Sequence, residues 1–382
     1  MTEREKWIDT LKAIACIVVF LGHFYETFCI NIDNVNKLLS IKPLGIIADG
    51  GYAVCLFLMV SAYLICVAIY KDKSFERIQK MAFKRYFRLM LPIFFASMLS
   101  FMIGYGGGYY NEDVAVLLNN EWLNGSFSKE QMTISQLIYS AFIGVLWQGN
   151  RVFNDTFWML YILFLGNYLV IILAIVTSTD NNRGIMVLGF MLIVYTNTYY
   201  YCLVLGAVLA YVNCKMMLNK KRTNSKIFTF ICLMCLLLAL YLPAWSSPII
   251  NILSKYDFLP AFLKNAFFYK ETGCFLLLFS IMNLDRIKDF LEKRKLMNMI
   301  SNISFSVYLV HWPIIASFSC WSYLHFWNDS IDVENFTLAI FFATILVVVG
   351  MAIIFYELIE KRICTKLTNK ICDIYFKNPF ES

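Results

Sequence analysis

"DTLKAIACIVVFLGHFYE", residues 9–26, decides the fold class. The stretch reads as the start of a membrane span, yet it keeps a lysine near its beginning and a histidine near its end. Hydrocarbon has no water to solvate either side chain, so a span that holds them turns them toward protein or a polar cavity. Lys12 and His23 are eleven residues apart. At 100° per residue that is three turns plus about 20°, which puts both on one face, roughly 16 Å apart along the axis. Asp9 stands three residues before Lys12, and Glu26 three after His23. A line of ionisable groups therefore runs down one side of this helix.

The rest of the chain agrees with a membrane setting. Its 382 residues are 60% hydrophobic and only 15% charged, where a soluble domain carries about a quarter charged residues. Mean hydropathy is +0.63. Apolar runs near span length recur, which predicts an all-α polytopic membrane protein and not a barrel. The first run lacks a small-residue cleavage site and is interrupted by Lys12 and His23, so it is read as a retained span, not a signal peptide. With no internal repeat and no linker of low complexity, residues 1–382 are expected to form a single transmembrane domain.

Ten spans are expected, at roughly 8–29, 47–69, 89–105, 156–177, 184–197, 198–213, 227–245, 265–283, 300–322 and 338–359. The fifth and sixth abut, which implies a tight turn around Asn197. Residues 134–148 are apolar but short, and are read as an interfacial or re-entrant helix. Charge tests the direction. Loops 70–88, 214–226 and 284–299 are rich in Lys and Arg (Lys71, Arg77, Lys215, Lys220, Lys221, Arg222 and Arg286 among them), as is the tail with Lys361, Arg362 and Lys377. The alternate loops are acidic, with Glu112, Asp113, Glu121, Glu130 and Asp155 in 106–155 and Asp329, Asp332 and Glu334 in 323–337. This alternation places both termini in the cytoplasm. It also explains the net charge of +7 without nucleic acid, since the basic residues lie between spans. The twelve cysteines are scattered in apolar runs as small hydrophobes. Cys232 and Cys235 form a CxxC with no second pair at zinc spacing, so packing, and no metal, is expected there.

Each member of the first-span stripe has a bland reading. Lys12 can snorkel to the interface, Glu26 can sit among headgroups, and His23 can be a buried hydrogen-bonding group. Taken together, and with the features below, they favour a reactive site in which His23 takes a proton near neutral pH.

Six motifs then occur in order. "WIDTLKAIACIVVFLGHF" (7–24) has a basic residue, ten residues and then histidine. "GYAVCLFLMVSAYLI" (51–65) has Ser-Ala-Tyr-Leu, and "KRYFRLMLP" (84–92) has Arg-x-x-Arg before proline. "TFWMLYILFLGNYLV" (156–170), "ISNISFSVYLVHWPII" (300–315) and "YELIEKR" (356–362) complete the series. Together they resemble the acyltransferase-3 family of integral membrane acyltransferases over nearly the whole chain. The chain departs from the family pattern at Lys12, where arginine is most often found, at Ala62 in place of glycine, at Leu163 in place of a glutamate common in one branch, and at Arg362 in place of proline.

The resemblance implies a donor on the inside and an acceptor on the outside. The acyl group, usually acetyl, comes from cytoplasmic acyl-CoA. It is placed on a hydroxyl of a cell-envelope glycan, such as a surface or capsular polysaccharide, or of a related molecule or lipid-linked precursor. The residues allow this independently. Arg85 and Arg88 share a face at the mouth of the third span, with Lys84 beside them, and guanidinium groups there suit the phosphates of acetyl-CoA. Positive-inside anchoring is the alternative reading of the same charges. A pantetheine arm would span the roughly 16 Å to His23. In this scheme His23 is the general base, and Asp9 or Glu26 orients its ring. Lys12, Ser304, Tyr308 and His311 are candidate donors to the oxyanion. Ser304 and His311, seven apart, share a face with Tyr308 adjacent; interhelical hydrogen bonding accounts for that trio equally well. An acyl-enzyme stage stays open.

Trp122, Trp147, Phe153, Phe157 and Trp158, in the loop after the third span, suit sugar rings or a membrane-interface belt. The triple glycine at 106–108 lacks the Gly-Lys-Ser/Thr of a phosphate loop. The expected location is a bacterial plasma membrane. Two competing classes are a glycan-precursor flippase, whose transport path would also be lined by ionisable groups, and a non-catalytic assembly subunit.

Overall fold

The computed structural model of the chain describes residues 6–125, 127, 132–179, 181–216, 226–328 and 331–376. Lys220, Lys221, Arg222, Glu130, Asp329 and Lys377 lie outside the described residues, as does the side chain of Lys215. Among the described residues every regular element is helical. Seven helical stretches are long and apolar enough to cross a membrane: Lys6–Cys29, Gly50–Lys71, Phe75–Tyr105, Asp155–Thr179, Lys226–Ala244, Lys295–Phe326 and Val333–Phe376. They match seven of the ten expected spans. Arg183–Val194 and Tyr199–Cys214 are shorter apolar helices at the fifth and sixth expected spans, and Ile134–Gln148 is a third short one. The eighth expected span is the 18-residue helix Ala266–Asn283, which carries Lys270 and Glu271.

Helix ends obey local chemistry. The turn expected at Asn197 is present, with that residue in the left-handed region at φ 65°, a conformation asparagine tolerates. The triple glycine stops the helix Phe75–Tyr105. Gly107 adopts φ 71°, and the Gly108 and Gly107 amides donate back to the carbonyls of Ile103 and Gly104, each at 3.0 Å. This is a Schellman closure, for which glycine is the favoured residue. The helix itself has 31 residues, about 46 Å, and so exceeds a hydrocarbon core of about 30 Å. It begins at Phe75, so Lys84, Arg85 and Arg88 stand on a helix and not in the loop 70–88. The last long helix likewise runs past the expected end at 359, through a π-helical segment Phe355–Cys364 into Thr365–Phe376.

The chain divides into two compact units. One comprises Met1–Val19, Lys37–Ile78 and Gly166–Ser301. Its helices touch through small residues. A Cβ on Gly206 would lie 2.3 Å from the Met59 carbonyl, and one on Gly273 2.9 Å from that of Ala239. Such close backbone approach is how membrane helices gain dispersion contact without a hydrophobic driving force. Polar pairs add specificity: Ser61 donates to Asn167 at 3.1 Å, and Tyr70 and Thr177 hydroxyls lie 2.6 Å apart. Glu271 is fully buried in this unit, and the Cys202 thiol donates to it at 3.7 Å.

The other unit comprises Phe20–Asn36, Gln79–Leu165 and Asn302–Ser382. Within it, Phe83 stacks on Tyr375 with ring centroids 4.6 Å apart, and Lys84 donates to Asn369 at 3.2 Å. The C-terminal helix is thereby held against the basic stretch around Lys84.

Candidate active site

His23 ends the helix Lys6–Phe24 and is followed at once by a π-helical turn, Tyr25–Cys29. His311 lies in Lys295–Ile314, which gives way to a second π-helical turn, Ile315–Ser319. Single π turns inside α-helices shift the hydrogen-bond register and recur at functional sites. Here they release carbonyls that a loop captures. Asn120 donates to the carbonyls of Glu26 at 2.6 Å and Thr27 at 3.3 Å, and the Tyr110 amide donates to that of Ala316 at 3.0 Å. The loop after the triple glycine is thus fastened beside both histidines.

Pro313 supplies a further distortion. Proline has no amide hydrogen, so the carbonyl four residues earlier, Leu309, loses its helical donor. Asn154 takes that place, donating from its side-chain amide at 2.9 Å. Its carbonyl oxygen meanwhile caps the next helical turn by accepting from the Thr156 amide at 3.1 Å.

Two histidines meet within this frame. His23 Nδ1 lies 2.8 Å from His311 Nε2, and the rings are 3° from parallel with centroids 5.1 Å apart. Centroids so much farther apart than the nitrogens mean that the rings meet edge to edge, not face to face. The other nitrogen of His311, Nδ1, faces the carbonyls of Val307 at 3.0 Å and Tyr308 at 2.9 Å. Carbonyl oxygens only accept, so Nδ1 of His311 carries the proton. In the neutral ring Nε2 is then an acceptor. His23 must donate to it from Nδ1, which leaves His23 Nε2 with a free lone pair. His311 is buried and His23 half-buried, so the ring with the free lone pair is also the more accessible one.

Aromatic rings surround His23. Trp122 lies 5.9 Å and Trp312 5.6 Å from it, centroid to centroid. The two tryptophans meet nearly edge to face at 4.9 Å. Trp122 is held by its amide, which donates to Asn120 at 3.2 Å, and it is 42% exposed. Phe153 and Phe157, grouped with it on sequence, are buried core residues, and Trp147 is exposed.

The remaining expected site residues are placed as follows. Tyr308 is buried, and its hydroxyl donates its one proton to the Thr156 carbonyl. Ser304 is buried on the same helix. Glu26 is half-buried, and its backbone carbonyl, not its side chain, is what Asn120 holds. Asp9 and Lys12 belong to the other compact unit, Asp9 buried and Lys12 half-buried. Arg88 is exposed and Lys84 and Arg85 half-buried. Glu360, which sequence reading passed over, accepts from Ser306 at 2.8 Å and interacts electrostatically with Arg88. Asn154, Asn120 and Trp312 were also passed over. The one signal for Asn154 was its place before Asp-Thr-Phe at a helix start.

A family model described as an acyltransferase domain, acyltransferase-3, matches residues 5–356. No curated protein and no solved structure matches the chain. A match over this share of the chain, together with seven helices able to span a bilayer, makes it an integral membrane protein that belongs to the acyltransferase-3 family of acyltransferases.

Proposed function

We propose that this protein moves an acetyl group from cytoplasmic acetyl-CoA to a hydroxyl of an envelope glycan or its lipid-linked precursor, in a bacterial plasma membrane. In this reading ten spans cross the bilayer, with both termini cytoplasmic. The observation that carries the chemistry is the 2.8 Å contact between His23 and His311, because it leaves a basic nitrogen on His23.

His23 Nε2 takes the proton of the acceptor hydroxyl as its oxygen attacks the thioester carbonyl carbon. The tetrahedral adduct collapses, the carbon–sulfur bond breaks, and the thiolate of CoA leaves with the proton that imidazolium returns. General base catalysis of this kind contributes about 10²–10⁴-fold. His311 is a positioning residue: its Nε2 accepts from His23 and its Nδ1 is anchored on two carbonyls, so it holds one tautomer of His23. Lys84, Arg85 and Arg88 take the nucleotide phosphates, guanidinium matching phosphate geometry. The hydroxyl of Tyr308 is already donated, so it enters no step.

The test is transfer itself. Membranes carrying the protein should convert radiolabelled acetyl-CoA into acetylated glycan, and NMR of the purified envelope glycans should lose O-acetyl resonances when the gene is removed. Membranes that neither bind nor consume acetyl-CoA would favour a flippase instead.

A further inference from the structure

We infer that the indole N–H of Trp312 is the donor that stabilises the oxyanion of the transferred acyl group, a role that rests on His23 acting as the base. Trp312 is 2% exposed, and its Nε1 has no hydrogen-bond acceptor among the described residues. Buried indole nitrogens ordinarily find a partner, and an orphaned buried donor calls for an explanation. Three polar side chains close to it do have acceptors: Tyr308 on Thr156, Asn154 on Leu309, Asn120 on Glu26. Elsewhere in the same unit the buried hydroxyls of Ser97, Ser140, Thr337 and Thr368 share the orphan state, but none of them lies against a candidate base.

The place of the orphan supplies the explanation. Trp312 directly follows His311 and its ring lies 5.6 Å from that of His23. A hydroxyl within about 3 Å of the base attacks a carbonyl carbon about 3 Å further on. The carbonyl oxygen then needs a donor at about 3 Å. Base and donor must therefore sit on neighbouring side chains, as His23 and Trp312 do. The ligand class is a thioester carbonyl becoming a tetrahedral alkoxide. The indole nitrogen is buried, and a donor in a dry site is worth more than one in solvent.

The experiment uses inverted membrane vesicles of the native cell carrying the full chain, supplied with radiolabelled acetyl-CoA and followed as label moved off CoA. Two variants remove the N–H: Trp312→Phe, and replacement of Trp312 by benzothienylalanine, which keeps the shape of the bicycle. Both should lower kcat by about 10²–10³-fold, the usual loss for one oxyanion donor, with the KM for acetyl-CoA within about threefold of the parent. A benzothienylalanine protein turning over at the parental rate, alongside an inactive His23→Ala, would overturn the role of Trp312 and leave the base intact. Parental vesicles that move no label, or a fully active His23→Ala, would overturn both readings.

Discussion

His23 Nδ1 lies 2.8 Å from His311 Nε2 and donates to it, while the Nδ1 of His311 is turned to the carbonyls of Val307 and Tyr308. The backbone of one helix thus dictates which nitrogen is basic on another. The consequence is a graded response to substitution. His311→Ala should lower kcat by about 10²-fold, a share of the general-base contribution, and leave the KM for acetyl-CoA nearly unchanged. His311→Gln, whose carbonyl oxygen can accept from His23, should recover at least about tenfold of that loss. Equal activities for the two variants would show that His311 acts by packing alone. Label transfer from acetyl-CoA in membranes reads both.

Asn154 and Pro313 are coupled through the Leu309 carbonyl. Asn154→Ala leaves that acceptor and the Thr156 amide without partners, at a cost of about 1–3 kcal/mol for a buried unsatisfied group. Pro313→Ala restores a helical amide four residues after Leu309. In that background the loss from Asn154→Ala should shrink by about 1 kcal/mol. Unfolding midpoints of all four proteins in detergent micelles give the coupling directly, and strict additivity would contradict it.

Arg88 is exposed and its charge faces Glu360. Arg88→Ala should raise the KM for acetyl-CoA about tenfold, the loss of one charge-assisted phosphate contact, with little change in kcat. Because the contact is solvent-facing, the KM of the parent should also climb as salt shortens the screening length. Initial rates across a range of acetyl-CoA and salt concentrations separate the two parameters.

Gly206 has no room for a side chain. A Cβ there meets the Met59 carbonyl at 2.3 Å and Ala62 at 2.9 Å, and backbone does not yield as a flexible side chain does. Gly206→Ala should destabilise the protein by about 1–3 kcal/mol, seen as a lower unfolding midpoint. Gly189→Ala, with open space around the new Cβ, is the control and should stay near the parent.

Much of the fold was legible because lipid imposes a strong rule on composition: long apolar runs must be helices. The turn at Asn197 and the face shared by Arg85 and Arg88 followed from local chemistry. Helix lengths were underread at the polar ends, since 75–88 and 360–376 are too charged to register as spans yet belong to the helices of the third and last spans. In the site, helical spacing put Ser304 and His311 on nearly one face with Tyr308 adjacent, but spacing does not say which of them meets another helix. His23 and His311 are 288 residues apart, and one sequence carries no trace of such a pairing. Asn120 and Trp312 were invisible for the same reason, and Asn154 showed only as a cap at a helix start: each matters through what tertiary structure brings to it, carbonyls released by a π turn, a missing acceptor, or a carbonyl freed by proline.

The most direct measurement is acetyl transfer by His23→Ala in membranes where the variant inserts at the parental level. The account requires that label from acetyl-CoA reach no envelope glycan above the background of cells lacking the gene. Transfer at the parental rate by that variant would contradict it.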